Sequence, residues 1–210
     1  MRVLILGATG GTGRIALRET LARGHDVTVL VRDRTHLPPG SEQATLRDGD
    51  ARDAEAVASA VRNQDAVISV LGIGKSLKPE GLIAAAAPNI VKAMDRAGVR
   101  RLVFTSAFGI GESMRDVPLL PRIMMATLLS RIYADKNVGE EAVRKSALDW
   151  TIVYPTMLTD KPGTGRVRTG ERLPLRGMPM VSRADVGAYL ASQLDARDYI
   201  RKGVLITQTA

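Results

Sequence analysis

The sequence predicts an α/β domain built around a doubly wound parallel sheet. Three observations carry that expectation. Short runs that are almost wholly apolar alternate with helix-patterned stretches of roughly 10–15 residues, the signature of parallel strands covered on both faces. The first run, Val3-Leu4-Ile5-Leu6, passes directly into Gly7, Gly10 and Gly13 and then into a helical pattern at Ile15, Ala16 and Leu17. Right-handed crossovers between such strands give the order 3-2-1-4-5-6, the Rossmann arrangement.

The elements follow in order. Residues 2–6 form the first strand, and the helix after the glycines ends near Arg23, with Gly24 suited to the left-handed C′ position. Asp26–Val31 is a second β-branched run, and Pro38, Pro39 and Gly40 then break the pattern. Residues 43–47 make a short third strand, and Asp48-Gly49-Asp50 leads to a helix from Asp53 to Arg62. Residues 65–71 make the fourth strand, and the loop 72–78 either closes over a site or merely connects. A long helix from about Glu80 to Ala97 precedes the fifth strand, Arg101–Thr105, and another runs from about Leu119 to Ser146. The sixth strand is Trp150–Tyr154. Residues 155–181 are rich in Pro, Gly and Arg and read as an irregular substrate-side lobe, with hairpin strands at Arg166–Thr169 and Arg172–Leu175. A last helix opens at Ser182 or Arg183, with Ser182 suited to the N-cap, and Val204–Thr207 is the last strand. The whole chain, residues 1–210, reads as a single domain.

Composition narrows the function. Hydrophobic residues make up 45% of the chain, enough for a core, yet no apolar run approaches the roughly 18 residues of a membrane span. The chain opens on its first strand, so no secretory leader is expected. Cysteine is absent, which removes disulfide and thiolate chemistry and fits a cytoplasmic location. The net charge of +8 is spread among acids with no basic run interleaved with aromatics, so a nucleic-acid partner is not expected. No His/Asp/Glu set forms a metal centre, because His25 and His36 flank the second strand. The expected partner is a small-molecule acceptor, and the expected state is a monomer or weak homodimer.

In doubly wound sheets the ligand lies at the carboxyl ends of the strands. Gly7 lets the chain turn out of the strand, Gly10 clears space for a diphosphate, and Gly13 lets the helix pack on the sheet. The helix N-terminus then favours a phosphate. NAD binders place an acid about 20 residues further on, at the end of the second strand. Arg32 stands there instead, and a guanidinium pairs with a 2′-phosphate, so NADP(H) is expected over NAD(H). Arg14 could reach the same phosphate. Asp50, with Ala51 beside it, is suited either to the adenine amino group or to capping the helix at residue 53. Leu71 and Gly72 end the fourth strand, where a glycine admits the cofactor's ribose. Thr105 and Ser106 end the fifth. Tyr133 and Lys136 lie three apart, so they share a helix face without the four-residue spacing that lets a lysine lower a phenol's pKa. Tyr133 is therefore either a proton donor or a half-buried packing residue, and Lys136 is a candidate ligand of the nicotinamide ribose or substrate. Met114, Met124, Met125, Leu128 and Leu129, beside Phe108, either line an apolar substrate pocket or form ordinary core.

Gly7-Ala-Thr-Gly-Gly-Thr-Gly13, Thr28-Val-Leu-Val-Arg-Asp33, Gln64-Asp-Ala-Val67, Asn89-Ile-Val-Lys-Ala-Met94 and Thr105-Ser-Ala-Phe108 together resemble the NAD(P)H-binding atypical short-chain dehydrogenases/reductases. The likeness is strongest over residues 1–108, and it points to the branch that reduces flavins and tetrapyrroles. It implies that Gly7, Thr9, Gly10, Gly11, Thr12, Gly13, Arg32, Asp50, Leu71 and Gly72 hold the cofactor, with Thr105, Tyr154 and Pro155 near the nicotinamide and Ser106 there at the place of the superfamily's catalytic serine or threonine. It further implies a shallow pocket for a flavin, as substrate rather than prosthetic group, on which Phe108, Met125 and Met157 border. The substrate-side histidines of that branch have no counterpart here: Met157 and Glu140 or a neighbour stand in their places. The chain also resembles NmrA-like regulators, which implies a non-catalytic NADP(H) sensor as the alternative.

Overall fold

The computed structural model describes residues 1–72, 81–111, 113, 130–175 and 177–209. Eight strands form one sheet in the order β3-β2-β1-β4-β5-β6-β10-β8. They are β1 (Arg2–Leu6), β2 (Asp26–Val31), β3 (Thr45–Asp48), β4 (Ala66–Ser69), β5 (Arg101–Thr105), β6 (Asp149–Pro155), β8 (Val167–Gly170) and β10 (Lys202–Gln208). All neighbours are parallel except β8, which runs antiparallel to β10. This is the doubly wound order expected from the sequence.

Alternate residues of the strands feed two cores. Leu4, Leu6, Val67, Leu102, Phe104 and Ile152 face one side, against α2 (Ala54–Val61), α3 (Leu82–Ala97) and α4 (Ser130–Lys145). Val3, Ile5, Val29, Ile68, Val103 and Val153 face the other, against α1 (Gly11–Ala22) and α5 (Arg183–Ser192). Both faces are covered, which is why the strands read as continuous apolar runs rather than alternating ones. Among the described residues no helix is long and apolar enough to cross a membrane.

Glycine sets how closely the helices approach. A Cβ on Gly187 of α5 would lie 2.5 Å from Ile15 Cγ2 of α1, and one on Gly139 of α4 would lie 2.6 Å from Ile83 Cγ2 of α3. Each helix pair therefore crosses at nearly backbone contact. Helix α3 begins at Gly81, which has no side chain to cap it. Its first free amides are taken instead by Asp135 of α4, whose carboxylate accepts from Ile83 N (3.1 Å) and Ala84 N (2.9 Å). A cap supplied by a neighbouring helix satisfies the same orphan donors as a local one.

The C-terminal lobe differs from expectation. Val167–Gly170 is a strand, but it pairs with β10 and not with residues 172–175, which form no strand. The exposed edge of β10 offers a complete ladder of partners, while Pro174 and the bend at residues 171–172 break a local hairpin. Beside the sheet, β7 (Met157–Thr159) and β9 (Met180–Ser182) pair in parallel. Asp185 ties this lobe to α5 by accepting from Thr164 N (3.0 Å), Gly165 N (2.8 Å) and Ser182 Oγ (2.8 Å). Ser182 in turn caps α5, as expected, by accepting from Asp185 N.

Candidate functional site

Strand β1 ends under a tight glycine turn. Gly7 has φ +89°, where a side chain is strained, and Gly10 N donates to Gly7 O at 3.1 Å. A Cβ on Gly7 would lie 2.6 Å from Val70 O of the chain leaving β4. A Cβ on Gly13 would lie 2.0 Å from Gly7 O, so α1 starts with its backbone pressed on the turn. The N-cap is Gly10, with no side-chain cap, so the first-turn amides carry no local acceptor. Thr12 is buried, while Thr9 is half-buried and Gly10 and Gly11 are exposed. The result is an open seat of amides at a helix N-terminus, sized by the missing side chains, and it fits a diphosphate.

The ends of β2 and β3 are charged. Arg32 is exposed at the end of β2, its guanidinium 3.9 Å from Asp50. Asp50 is not the cap of α2. Asp53 is, accepting from Glu55 N and Ala56 N, because it alone directly precedes the helix. Asp50 instead accepts from Arg52 N and from the Arg52 guanidinium, whose hydrogen bonds hold the carboxyl below its usual range. Ala51 is buried beside it, and Asn89 of α3 holds this loop through the carbonyls of Ala51 and Arg52. Arg14 lies against backbone, donating to Thr9 O (3.0 Å) and His36 O (2.7 Å). Leu71 is half-buried at the end of β4, and Gly72 has open space where a Cβ would be.

The third part lies past β5 and β6. Ser106 N bonds Val153 O and Phe108 N bonds Pro155 O, so the chain beyond β5 stays zipped to the end of β6. Here sits a buried carboxylate that the sequence reading touched only by analogy. Glu140 of α4 is 2% exposed. It accepts from Ser106 Oγ (3.1 Å), from Arg144 Nε (3.0 Å) and from the Tyr154 hydroxyl, and Arg144 Nη2 donates to the same phenol at 2.8 Å. Gly111 makes room for it, since a Cβ there would lie 2.0 Å from Glu140 Oε1. Burial, then the charge of Glu140, pushes the Tyr154 phenol far above its usual range, so it stays protonated. With its hydroxyl hydrogen donated in a hydrogen bond to Glu140, Ser106 keeps its oxygen lone pairs for a donor on a ligand. Thr105 Oγ1, next to it, is buried with no hydrogen-bond partner among the described residues.

Tyr133 and Lys136 reach this region from α4 but do not form a pair. The Tyr133 hydroxyl donates to Phe108 O at 3.4 Å, and burial raises its pKa. Lys136 is half-buried, and desolvation pushes its ammonium down to about 8 against the opposing fields of Asp135 and Glu140. Met157 opens β7 and is exposed beside its partner Met180, which follows the exposed Met178 by two residues. Met125, with Met114, Met124, Leu128 and Leu129, lies outside the described residues. Arg183, met in the sequence only as a helix start, and Glu140, met only by analogy, are the residues whose surroundings sequence reasoning did not reach. The stem of Arg183 packs on Gly11, because a Cβ there would lie 2.9 Å from Arg183 Cδ. An Arg four residues after Glu140 on one helix is the local signal that could have marked the second.

Comparison with known proteins fits this geometry. The sequence profile of a family described as NAD(P)H-binding matches residues 7–197, beginning at the glycine turn. The photosystem II assembly factor Ycf39 of Synechocystis is 30% identical over 156 residues, 73% of this chain but 44% of its own length, so the chain spans under half of that relative. ChuY of Escherichia coli O157:H7, described as an anaerobilin reductase, superposes with a TM-score of 0.82 at 23% identity, covering 99% of this chain and 97% of that one. A wide-type short-chain dehydrogenase/reductase from Veillonella parvula, solved in complex with NADP, superposes at 0.81 with 21% identity, covering 100% and 95%. At these identities the two structures establish a shared fold.

Proposed function

This chain belongs to the NAD(P)H-binding family, and from that premise we propose that it is an NADPH-dependent oxidoreductase whose acceptor is a flavin, a quinone or a related planar molecule. The observation that carries the choice of acceptor is a phenol left unactivated. Tyr133 sits on a backbone carbonyl, and burial is what raises its pKa, with no cation among the described residues offsetting it. Reducing a ketone leaves an alkoxide that needs a positioned acid, whereas reducing a flavin stacked on the nicotinamide takes its proton from water. When bound, a nicotinamide dinucleotide supplies the hydride.

The residues take these roles. The amides after Gly10 receive the diphosphate, and Arg32 pairs with the 2′-phosphate while Asp50 holds the adenine side. Ser106, fixed by Glu140, accepts from the carboxamide, and Lys136 reaches the nicotinamide ribose. Met157, with Met180 and Met178, gives an adaptable, sulfur-rich wall suited to a flat acceptor. A second reading, a non-catalytic NADP(H) sensor, is favoured by the relative Ycf39, which is named as an assembly factor.

The deciding measurement is NADPH oxidation followed by its near-ultraviolet absorbance, with FMN, dichlorophenolindophenol and a quinone as acceptors. Turnover of about one per second or more is expected; binding without turnover establishes the sensor instead. Arg32→Ala is expected to weaken NADPH far more than NADH, by about 1.5–3 kcal/mol for a lost charged hydrogen bond. Equal losses for both nucleotides would remove the 2′-phosphate role.

Lys136 gives the pH dependence. Its ammonium titrates at about 8 in the fold and near 10.4 in an unfolded chain. The buried charge therefore costs stability below about pH 8, and that cost fades as the pH rises toward the unfolded value. Binding that uses the charge runs the other way, so KM for NADPH is expected to rise through pH 8. Lys136→Arg, which stays protonated, should flatten that rise. An unchanged profile in the variant argues against Lys136 as a cofactor ligand.

A further inference from the structure

Helices α1 and α5 run side by side with their N-termini at the same edge. Gly187 meets Ile15 and Ala16, and one turn earlier Arg183 meets Gly11. The Arg183 side chain thus lies across the first turn of α1, with Cδ and Nε at 2.9 and 3.2 Å from where a Gly11 Cβ would sit. One guanidinium nitrogen, Nη1, donates to Asp160 Oδ1 at 2.8 Å. Nε and Nη2 have no hydrogen-bond partner among the described residues. Asp160 is 87% exposed, just past β7, and an exposed pair of this kind contributes little. Arg14, the cation nearest to the glycines in sequence, is committed to the carbonyls of Thr9 and His36. Among the described residues the seat therefore has one guanidinium beside it that is both adjacent and loosely held.

We propose that Arg183 is the clamp on the cofactor's diphosphate: its guanidinium leaves Asp160 and donates to diphosphate oxygens opposite the amides of α1. This rests on the dinucleotide reading above and adds a residue from the far end of the chain to it. The planar fork suits two phosphate oxygens, and a doubly charged diphosphate outcompetes one solvated carboxylate. Gly11 is required beneath it, since any side chain there displaces the arginine stem. Asp160 acts as a placeholder that keeps the guanidinium aimed at the seat when no nucleotide is present.

The test is calorimetric titration of wild type, Arg183→Gln and Asp160→Asn with NADPH and with adenosine 2′-monophosphate, which carries the 2′-phosphate but no diphosphate. Arg183→Gln is expected to weaken NADPH by roughly 10- to 100-fold, the loss of one charge-assisted bond, and to leave the monophosphate unchanged. Asp160→Asn, which removes the competitor and keeps the arginine, is expected to tighten NADPH by a few-fold. A merely structural role predicts that both variants weaken both ligands or neither. If wild type binds NADPH and Arg183→Gln binds it equally well, or loses both ligands alike, the clamp is refuted while the dinucleotide reading stands. If wild type binds no nicotinamide dinucleotide at all, that reading falls and the clamp falls with it.

Discussion

Gly13→Ala is expected to abolish detectable dinucleotide binding and to lower the melting temperature of the apoprotein. The new methyl would lie 2.0 Å from Gly7 O, 2.8 Å from Gly7 C and 3.1 Å from Ala8 Cα, all backbone atoms with no rotamer to change. Overpacking against movable side chains costs about 1–3 kcal/mol, so a clash with backbone belongs at or above the top of that range. For a chain of this size each kcal/mol moves the melting temperature by roughly 2–4 °C. To relieve the clash, α1 must tilt away from the turn, which pulls its first-turn amides off the seat. Gly10→Ala is the companion variant, because its Cβ would come no closer than 3.4 Å to Gly7 O. It should fold nearly as wild type and still lose affinity, since Gly10 is exposed on the turn where the proposed diphosphate would sit. Thermal melts and titration of the two variants separate the two glycine roles. Wild-type stability and affinity in Gly13→Ala would show that the seat tolerates a shifted helix.

Glu140→Ala is the other change with a large expected effect. It removes the acceptor shared by Ser106, Tyr154 and Arg144 at a position almost closed to water. The buried Ser106 and Tyr154 hydroxyls lose their acceptor, at about 1–3 kcal/mol for each group left unsatisfied, while half-buried Arg144 keeps its stack on Trp150. Denaturant unfolding should show that loss, and the turnover number should fall because Ser106 is no longer oriented. Gly111→Ala makes the same point with the carboxylate retained: its methyl would lie 2.0 Å from Glu140 Oε1 and force the group off its partners. Tyr154→Phe deletes a single hydroxyl and is expected to cost about 0.5–1.5 kcal/mol. Should Glu140→Ala unfold at the wild-type denaturant concentration, the network is peripheral to the fold.

The sheet was legible because its information is local. Each strand is a short apolar run, and the glycine turn announces itself because the backbone at Gly7 and Gly13 tolerates no Cβ. Asp26–Val31 and Arg101–Thr105 fall on the expected residues for the same reason. What the sequence does not display is which distant atoms meet. The hairpin expected at residues 166–175 is absent because the partner of β8 is β10, more than thirty residues away, and a strand carries no mark of its partner's identity. Asp50 and Asp53 look alike as helix caps in sequence, and only the start of α2 at Ala54 decides between them. Glu140 reads as an ordinary charged helix residue until α4 is laid over Ser106 and Tyr154. Arg183 reads as the first residue of a helix until α5 is set against Gly11. The amide seat lies on turns whose shape is written in glycine, while the region past β5 and β6 is assembled from side chains brought together by helix docking.

The bond from Asp135 to the start of α3 has a practical use. The amides of Ile83 and Ala84 can stay shielded only while a carboxylate from α4 is in place. Their deuterium uptake is thus a built-in gauge of whether α4, with Lys136 and Glu140 on it, is seated. Two peptide groups on one helix report the docking of another, and they would show its loosening before global unfolding does.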